Sequence, residues 1–199
     1  MRKVRWFFVA GIALLLANVS GFVGLPKDGS SGSVAQAQET GIESKKIVPF
    51  VPTPQEVVEG MLELAMVKKG DVVYDLGSGD GRIVITAAKK YGVKALGFEI
   101  DPDLIRESRE NIRNEKLENL AEIREQDILT VDLSPASVVT MYLLPSVNLQ
   151  LRPKVLSQLK PGTRVVSHAF DMGDWKPDKV INVNGRTVYL WVINNKAAQ

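Results

Sequence analysis

The sequence predicts a doubly wound, mostly parallel α/β sheet with helices on both faces, finished by an antiparallel C-terminal hairpin. Three observations carry this expectation. In Val72-Val73-Tyr74-Asp75-Leu76-Gly77-Ser78-Gly79-Asp80-Gly81-Arg82 an apolar run ends in an acid, three glycines follow at alternate positions, and a helical pattern then runs to Tyr91. That is strand, tight turn, helix, the opening of a βαβ unit. Two further strand patterns, Lys94–Glu99 and Ala121–Arg124, lead to the acids Glu99 and Asp127. Three successive strands thus end in acids at the carboxyl edge, where open α/β sheets bind ligands. Finally, Asn184-Gly185 separates Lys179–Val183 from Arg186–Ile193, and Asn-Gly is the strongest short hairpin signal.

The elements follow in order. Ile47-Val48-Pro49-Phe50-Val51-Pro52-Thr53-Pro54 is an extended, proline-braced entry. Thr53 reads as a helix cap, with Pro54 at the first helical position and Glu56 completing a capping box. Val57, Val58, Met61, Leu62 and Ala65 form the apolar stripe of that helix. Lys69-Gly70-Asp71 turns the chain into the first strand. The helix Arg82–Tyr91 ends at Gly92, a C-cap glycine. Asp101 caps the next helix, Pro102 starts it, and it runs to about Lys116 with charges of both signs, the pattern of a solvated face. Asp132 and Ser134-Pro135 mark a loop. Ser137–Leu144 reads as the fourth strand, stopped by Pro145. Asn148–Leu159 is a helix with a kink or restart expected at Pro153. Pro161-Gly162 ends it and Arg164–Ser167 is the fifth strand.

Composition narrows the chemistry. A length of 199 residues suits about one domain. A net charge of +2 and a pI near 8.8 are too mild for a nucleic-acid-binding face. Without cysteine there is no disulfide, thiolate metal site or thiol nucleophile. His168 is the one histidine, so a His-based metal site or hydrolase triad is disfavoured, and no metal is expected. At the amino terminus, Arg2, Lys3 and Arg5 precede the apolar run Trp6–Ala17, which continues more weakly to Leu25. Residues 1–25 read as a secretory signal, with Ala35-Gln36-Ala37 as a cleavage site, or as an uncleaved anchor of about twenty residues. The expectation is membrane association or export, with the side of the membrane open. Residues 26–46, rich in Gly, Ser, Gln and Ala, read as a flexible linker, and residues 47–199 as the folded domain.

A glycine-rich βα turn is shared by several ligand classes. Dinucleotide enzymes carry G-x-G-x-x-G, with the third glycine allowing close helix–strand packing. Here the spacing is G-x-G-x-G and Arg82 occupies that third position, while Asp75 directs negative charge at the loop. That charge opposes a pyrophosphate and suits a cationic ligand. No nucleotide P-loop motif occurs. Glu99 lies about twenty residues on, where a ribose-binding acid is expected, able to accept from both ribose hydroxyls.

With these three acids in order, Val48 to Ile193 resembles the class I S-adenosylmethionine-dependent methyltransferases, which have a Rossmann-like sheet. The resemblance implies that Asp75 takes the amino-acid end of S-adenosylmethionine. Gly77, Ser78, Gly79 and Gly81 cradle it, Glu99 with Ile100 holds the ribose, and Asp127 with Ile128 the adenine. Tyr142–Pro145, at the end of the strand beside the first, should border the transferable methyl, with Tyr142 and Pro145 as catalytic positions. Phe50, Thr53 and Trp175 are assigned to the acceptor. Val48–Pro54, Asp75–Ile85, Tyr142-Leu143-Leu144-Pro145 and Trp175-Lys176-Pro177-Asp178 together resemble the small membrane-associated protein-lysine methyltransferases that act on ATP synthase and on the adenine nucleotide translocase. Phe50 stands where that family often has tyrosine. The resemblance implies N-methylation of a protein lysine, in a membrane protein, and no nucleic-acid partner; no Asn-Pro-Pro-Tyr is present.

An amine acceptor must be neutral to attack, and desolvation beside apolar and aromatic groups lowers its pKa. Tyr142, Phe50 and Trp175 are candidates for that environment, though Tyr142 fits core packing equally well. His168 reads as a hydrogen-bonded structural histidine ahead of a general base. Asp171 and Asp174 read as solvated loop acids. The alternatives are a small-molecule O- or N-methyltransferase, a non-catalytic S-adenosylmethionine-binding module, and a nucleotide-dependent oxidoreductase.

Overall fold

The computed structural model describes residues 50–194; the expected signal or anchor and the linker lie outside the described residues. The elements are α1 (Gln55–Leu64), β1 (Val72–Leu76), α2 (Arg82–Tyr91), β2 (Lys94–Glu99), α3 (Pro102–Asn114), β3 (Ala121–Glu125), β4 (Val138–Met141), α4 (Pro145–Gln158), β5 (Arg164–His168), β6 (Lys179–Val183) and β7 (Arg186–Val192). The strands form one seven-stranded sheet in the order β3-β2-β1-β4-β5-β7-β6. Pairs from β3 through β5 are parallel, and β7 is antiparallel to both β5 and β6. The order reverses between β1 and β4, which puts the ligand crevice at their carboxyl ends.

Burial on both faces explains the near-continuous apolar strands. In β1, Val73 joins a core with Val57, Met61, Ile83 and Ile105, from α1, α2 and α3. Its neighbour Tyr74 points the other way, with Leu76, into a core built with Leu151 and Val155 of α4 and Trp191 of β7. The hairpin closes through Asn184 and Gly185, both at positive φ (49° and 83°) as a type I′ turn requires. Among the described residues no helix is long and apolar enough to cross a membrane.

Three local expectations need correction. Thr53 is not a helix cap: α1 starts from Pro54 without a side-chain cap, and the Thr53 hydroxyl bonds His168 instead. A tertiary partner has taken the oxygen that local capping would use. The fourth strand stops at Met141, short of Leu144, and Pro145 opens α4. Proline suits a first helical position, where its missing amide would have had no partner. Helix α4 also runs through Pro153 without a restart; Leu149, whose carbonyl loses its intrahelical donor, is 48% exposed and open to water.

At the amino edge of the sheet, opposite the crevice, Asp71 binds Arg164. Arg164 Nε also donates to Ala65 O (3.0 Å), and the Ser137 hydroxyl and Lys68 amide donate to the carboxylate (2.8 and 2.9 Å). Burial pushes the Asp71 pKa up, but the bonds from Arg164, Lys68 and Ser137 outweigh it and hold it below the usual range. Its contribution is therefore present above about pH 4 and lost as pH falls through the lowered folded value. Replacing Arg164 by methionine strands a buried carboxylate. Urea denaturation should show a loss of about 3–5 kcal/mol, largely recovered when Asp71→Asn is added. A single-variant loss under about 1 kcal/mol would mean that solvent screens the pair.

Candidate active site

A cleft opens at the carboxyl ends of β1, β2 and β4, the edge where open α/β sheets bind ligands. Of the residues singled out in the sequence, Phe50, Thr53, Asp75, Gly77, Ser78, Glu99, Ile100, Asp127, Ile128 and Tyr142 line it. Gly79 and Gly81 do not line the cleft but shape its loop. The three loop glycines take φ of 76°, 54° and 82°, a region that side chains disfavour. The Gly77 and Ser78 amides donate to Phe98 O on β2 (2.9 and 3.1 Å), and Gly81 is the N-terminal boundary of α2.

Glu99 holds the loop. Its Oε2 accepts from the Gly79 amide (2.9 Å), and its Oε1 from the amides of Ile100 and Asp101 (2.8 and 3.1 Å). A carboxylate has about four acceptor positions, so the amides leave room for one ligand hydroxyl, at Oε2, rather than two. Asp127 Oδ1 accepts from the Leu129 amide (2.9 Å), which fixes the carboxylate at the cleft. Asp75 is 2% exposed and accepts from the Thr140 hydroxyl (2.7 Å). Burial raises its pKa to about 7; the Thr140 bond opposes the rise, and the negative charges of Glu99 and Asp80 add to it.

Two expected residues fall elsewhere. Pro145 is exposed at the first position of α4 and does not line the cleft. Trp175 also stays out of it. Its ring packs 5.6 Å from that of Trp191, its carbonyl accepts from Trp191 Nε1 (2.8 Å), and a β-bridge to Met172 fixes it there. Burying one indole against another has anchored it in the α4-side core. Asp171 and Asp174 are exposed, the latter paired with Arg152. His168 is buried and hydrogen-bonded.

Leu143, from the Tyr142–Pro145 stretch, supplies apolar wall. Several contributors were not expected there. Leu104 adds to the apolar wall. Arg82 is held by Asp80 and donates to Thr53 O (2.7 Å), tying the entry segment to the loop. Gly97 matters through space: a Cβ there would meet Ser78 Cβ and Oγ and Ile123 Cδ1 at 2.6 Å. A glycine inside a strand pattern signals such a close approach and could have flagged it.

The donor set suits S-adenosylmethionine. Asp75 offers a buried carboxylate to an ammonium, Glu99 an acceptor to a ribose hydroxyl, and Asp127 an acceptor to an exocyclic amine, with Ile100, Leu104 and Ile128 as apolar walls. The Ser78 hydroxyl is buried against Gly97 and has no hydrogen-bond partner among the described residues.

Comparison with known proteins agrees. The family described as the ANTKMT methyltransferase domain matches residues 75–179. A protein-lysine N-methyltransferase of Saccharolobus islandicus (strain REY15A) is 52% identical over 151 residues, 73% of this chain and 94% of that protein. A lysine N-methyltransferase of Homo sapiens, named for ATP synthase, is 35% identical over 147 residues, 74% of this chain and 62% of that protein. Among solved structures, an RNA methyltransferase from Salinibacter ruber in complex with S-adenosyl-L-homocysteine has a TM-score of 0.72 and 55% identity. It covers 73% of this chain and 95% of that one.

The Asp75 environment makes ligand binding pH-dependent. Its folded pKa lies above the unfolded value of 3.8. Its contribution to stability is therefore fullest below about pH 4 and is lost as pH rises through about 7. A ligand ammonium favours the carboxylate, so binding releases a proton. Calorimetric affinity for S-adenosylmethionine should rise about tenfold from pH 6 to pH 8, with enthalpies that depend on the buffer. Asp75→Asn should remove both effects; an unchanged pH profile in that variant would place the ammonium elsewhere.

Proposed function

The chain belongs to the ANTKMT methyltransferase family, and we propose that its methyl acceptor is the side-chain amine of a protein lysine. It is an S-adenosylmethionine-dependent methyltransferase. When bound, S-adenosylmethionine supplies an electrophilic methyl group on a sulfonium, already a good leaving group. The protein's task is to orient the two partners, exclude water and supply a neutral amine. Orientation alone can account for much of the acceleration. Asp75, Glu99 and Asp127 hold the cofactor's polar groups. Tyr142, Leu143 and Phe50 line the remaining wall with apolar and aromatic surface, which disfavours the ammonium form of an entering lysine.

The observation that carries the lysine reading is the apolar and aromatic wall of Phe50, Tyr142 and Leu143 beside the acids given to the cofactor. Such a wall favours the neutral, reactive form of an entering amine. The Saccharolobus relative, named for protein lysine, supports this reading. The Salinibacter protein is described as an RNA methyltransferase, so RNA is the second acceptor to test. We further propose that the acceptor belongs to a membrane protein and that Trp6–Leu25 keeps the enzyme at the membrane; the apolar run in that segment and the human relative named for ATP synthase support this.

Tritiated methyl transfer should settle the acceptor. Labelled methyl-lysine is expected after acid hydrolysis of membrane protein from the source cells, and no label in RNA. Label in RNA or in a free metabolite alone would reject the lysine reading. Glu99→Ala removes the ribose acceptor and strands three amides. S-adenosylmethionine affinity should fall at least tenfold and the melting temperature should drop, since each unsatisfied amide costs about 1–3 kcal/mol. Retained affinity would show that Glu99 does not hold the ribose.

A further inference from the structure

Behind the cleft wall lies a group of residues that cofactor binding does not use. His168 ends β5 and is 2% exposed. A hydrogen bond of 3.2 Å joins its Nδ1 to Thr53 Oγ1. Its ring lies 4.0 Å, centroid to centroid, from that of Tyr142, and Phe170 stacks on Tyr142 at 6.3 Å and 18°. Tyr142 and Thr53 line the cleft, whereas His168 does not.

The backbone beside His168 is unusual. Ala169 takes φ +67°, and the Phe170 amide donates to His168 O (2.8 Å). This is a γ-turn with positive φ at its centre, a rare and strained conformation for a residue with a side chain. The Ala169 amide donates to Thr187 O on β7 (2.8 Å), so the neighbouring strand holds the turn in place. Strain of this kind persists where surrounding contacts enforce it. The parallel register of β4 and β5, with Met141 opposite Ser167, sets His168 beside Tyr142, and the turn then brings Phe170 to the same ring. Thr53 is fixed as well, through its hydroxyl by His168 and through its carbonyl by Arg82.

Tyr142 needs such support. It follows β4 in a stretch without regular structure, where a side chain would otherwise sample several rotamers. Methyl transfer rewards a fixed wall, because small misplacements of the acceptor cost rate steeply. Burial keeps His168 neutral, with Arg186 adding to the effect, so no charge is stranded behind the ring.

We propose that the Thr53–His168 pair, held by the β4–β5 register and followed by the γ-turn at Ala169, is a positioning device for methyl transfer that fixes the ring of Tyr142 on the acceptor side of the cleft. The inference rests on the methyltransferase reading of that cleft. His168 acts through Tyr142 and does not touch the acceptor.

The test uses the full chain labelled with 3-fluorotyrosine. Its tyrosines are Tyr74, Tyr91, Tyr142 and Tyr189, and Tyr142→Phe assigns the signal of interest. In both His168→Ala and Thr53→Val the Tyr142 fluorine signal should shift or broaden while the other three stay put. S-adenosylmethionine affinity should stay within about twofold of the parent, and the initial rate of methyl-lysine formation on solubilised membrane protein should fall at least tenfold. His168→Asn can keep the Thr53 bond but loses the ring, and should lie between parent and His168→Ala. An unmoved Tyr142 signal in both variants would overturn the proposal. So would a parallel loss of affinity, melting temperature and rate, the signature of a merely structural role. The fluorine signal needs no acceptor. A parent enzyme that binds S-adenosylmethionine yet forms no methyl-lysine would count against the lysine reading alone.

Discussion

The geometry of the cleft depends on one carboxylate gripping backbone. Glu99, at the end of β2, takes the amide of Gly79 from the glycine loop and those of Ile100 and Asp101 from its own turn. Charge-assisted bonds of this kind are roughly twice as strong as neutral ones, and here they lock two strand-to-helix turns together. The grip works because β1 and β2 run parallel with Leu76 opposite Phe98, whose carbonyl then receives the Gly77 and Ser78 amides. Gly97 is the condition for this approach, since a side chain there would strike Ser78. A loop fixed from the neighbouring strand presents its remaining groups to a ligand without further ordering, which lowers the entropic cost of binding.

The two edges of the sheet treat charge in opposite ways. At the amino edge, Asp71 is satisfied by Arg164, Ser137 and the Lys68 amide, so a buried charge becomes part of the scaffold. At the carboxyl edge, Asp75 is equally buried and has a hydroxyl, Thr140, instead of a cation. The consequence is a carboxyl group whose pKa is pushed up to about 7 by burial. The contrast follows from the partners alone, because both acids belong to the same short stretch around β1. A buried acid without a cation is a marker of a site, and one with a cation is a marker of architecture.

The fold was legible wherever a local rule and the tertiary context agreed. Gly92 ends α2, Asp101 caps α3 by accepting from the Asp103 amide, and Asn184-Gly185 turns the hairpin, each by chemistry confined to a few residues. Legibility failed where a distant partner took over. Thr53 carries every local mark of a cap, but its hydroxyl is spent on a histidine 115 positions away. Trp175 is an aromatic near the end of the chain, and no local signal separates a binding-site ring from one packed on Trp191. Tyr142–Leu144 continues an apolar strand pattern but loses its ladder, because Pro145 is better used to start α4. Within the cleft the positions of Asp75, Glu99 and Asp127 could be read, since each lies at or just after the end of a strand at the carboxyl edge. Leu104 could not, since leucine in a sequence looks the same in a core as in a wall, whereas Leu143 could be placed by its position at the end of the fourth strand pattern.

The early end of β4 has a structural consequence of its own. The three strands that deliver acids, β1, β2 and β3, lie on one side of the switch point, and β4 begins the other. By stopping at Met141, β4 frees Tyr142 and Leu143 to turn along the crevice. Leu143 then comes so close to Gly77 that a Cβ on that glycine would lie 2.8 Å from its side chain. The crevice is thereby divided along the sheet edge. The β1–β3 side carries the acids Asp75, Glu99 and Asp127 between the apolar walls of Ile100, Leu104 and Ile128. The side from β4 onward is aromatic and aliphatic, with Tyr142 against His168 and Phe170. A transfer reaction between a polar cofactor and an amine that must be desolvated needs these two environments side by side, meeting at the moving group. The topological switch supplies that adjacency, since it is the one place where strands bearing different chemistry end next to each other.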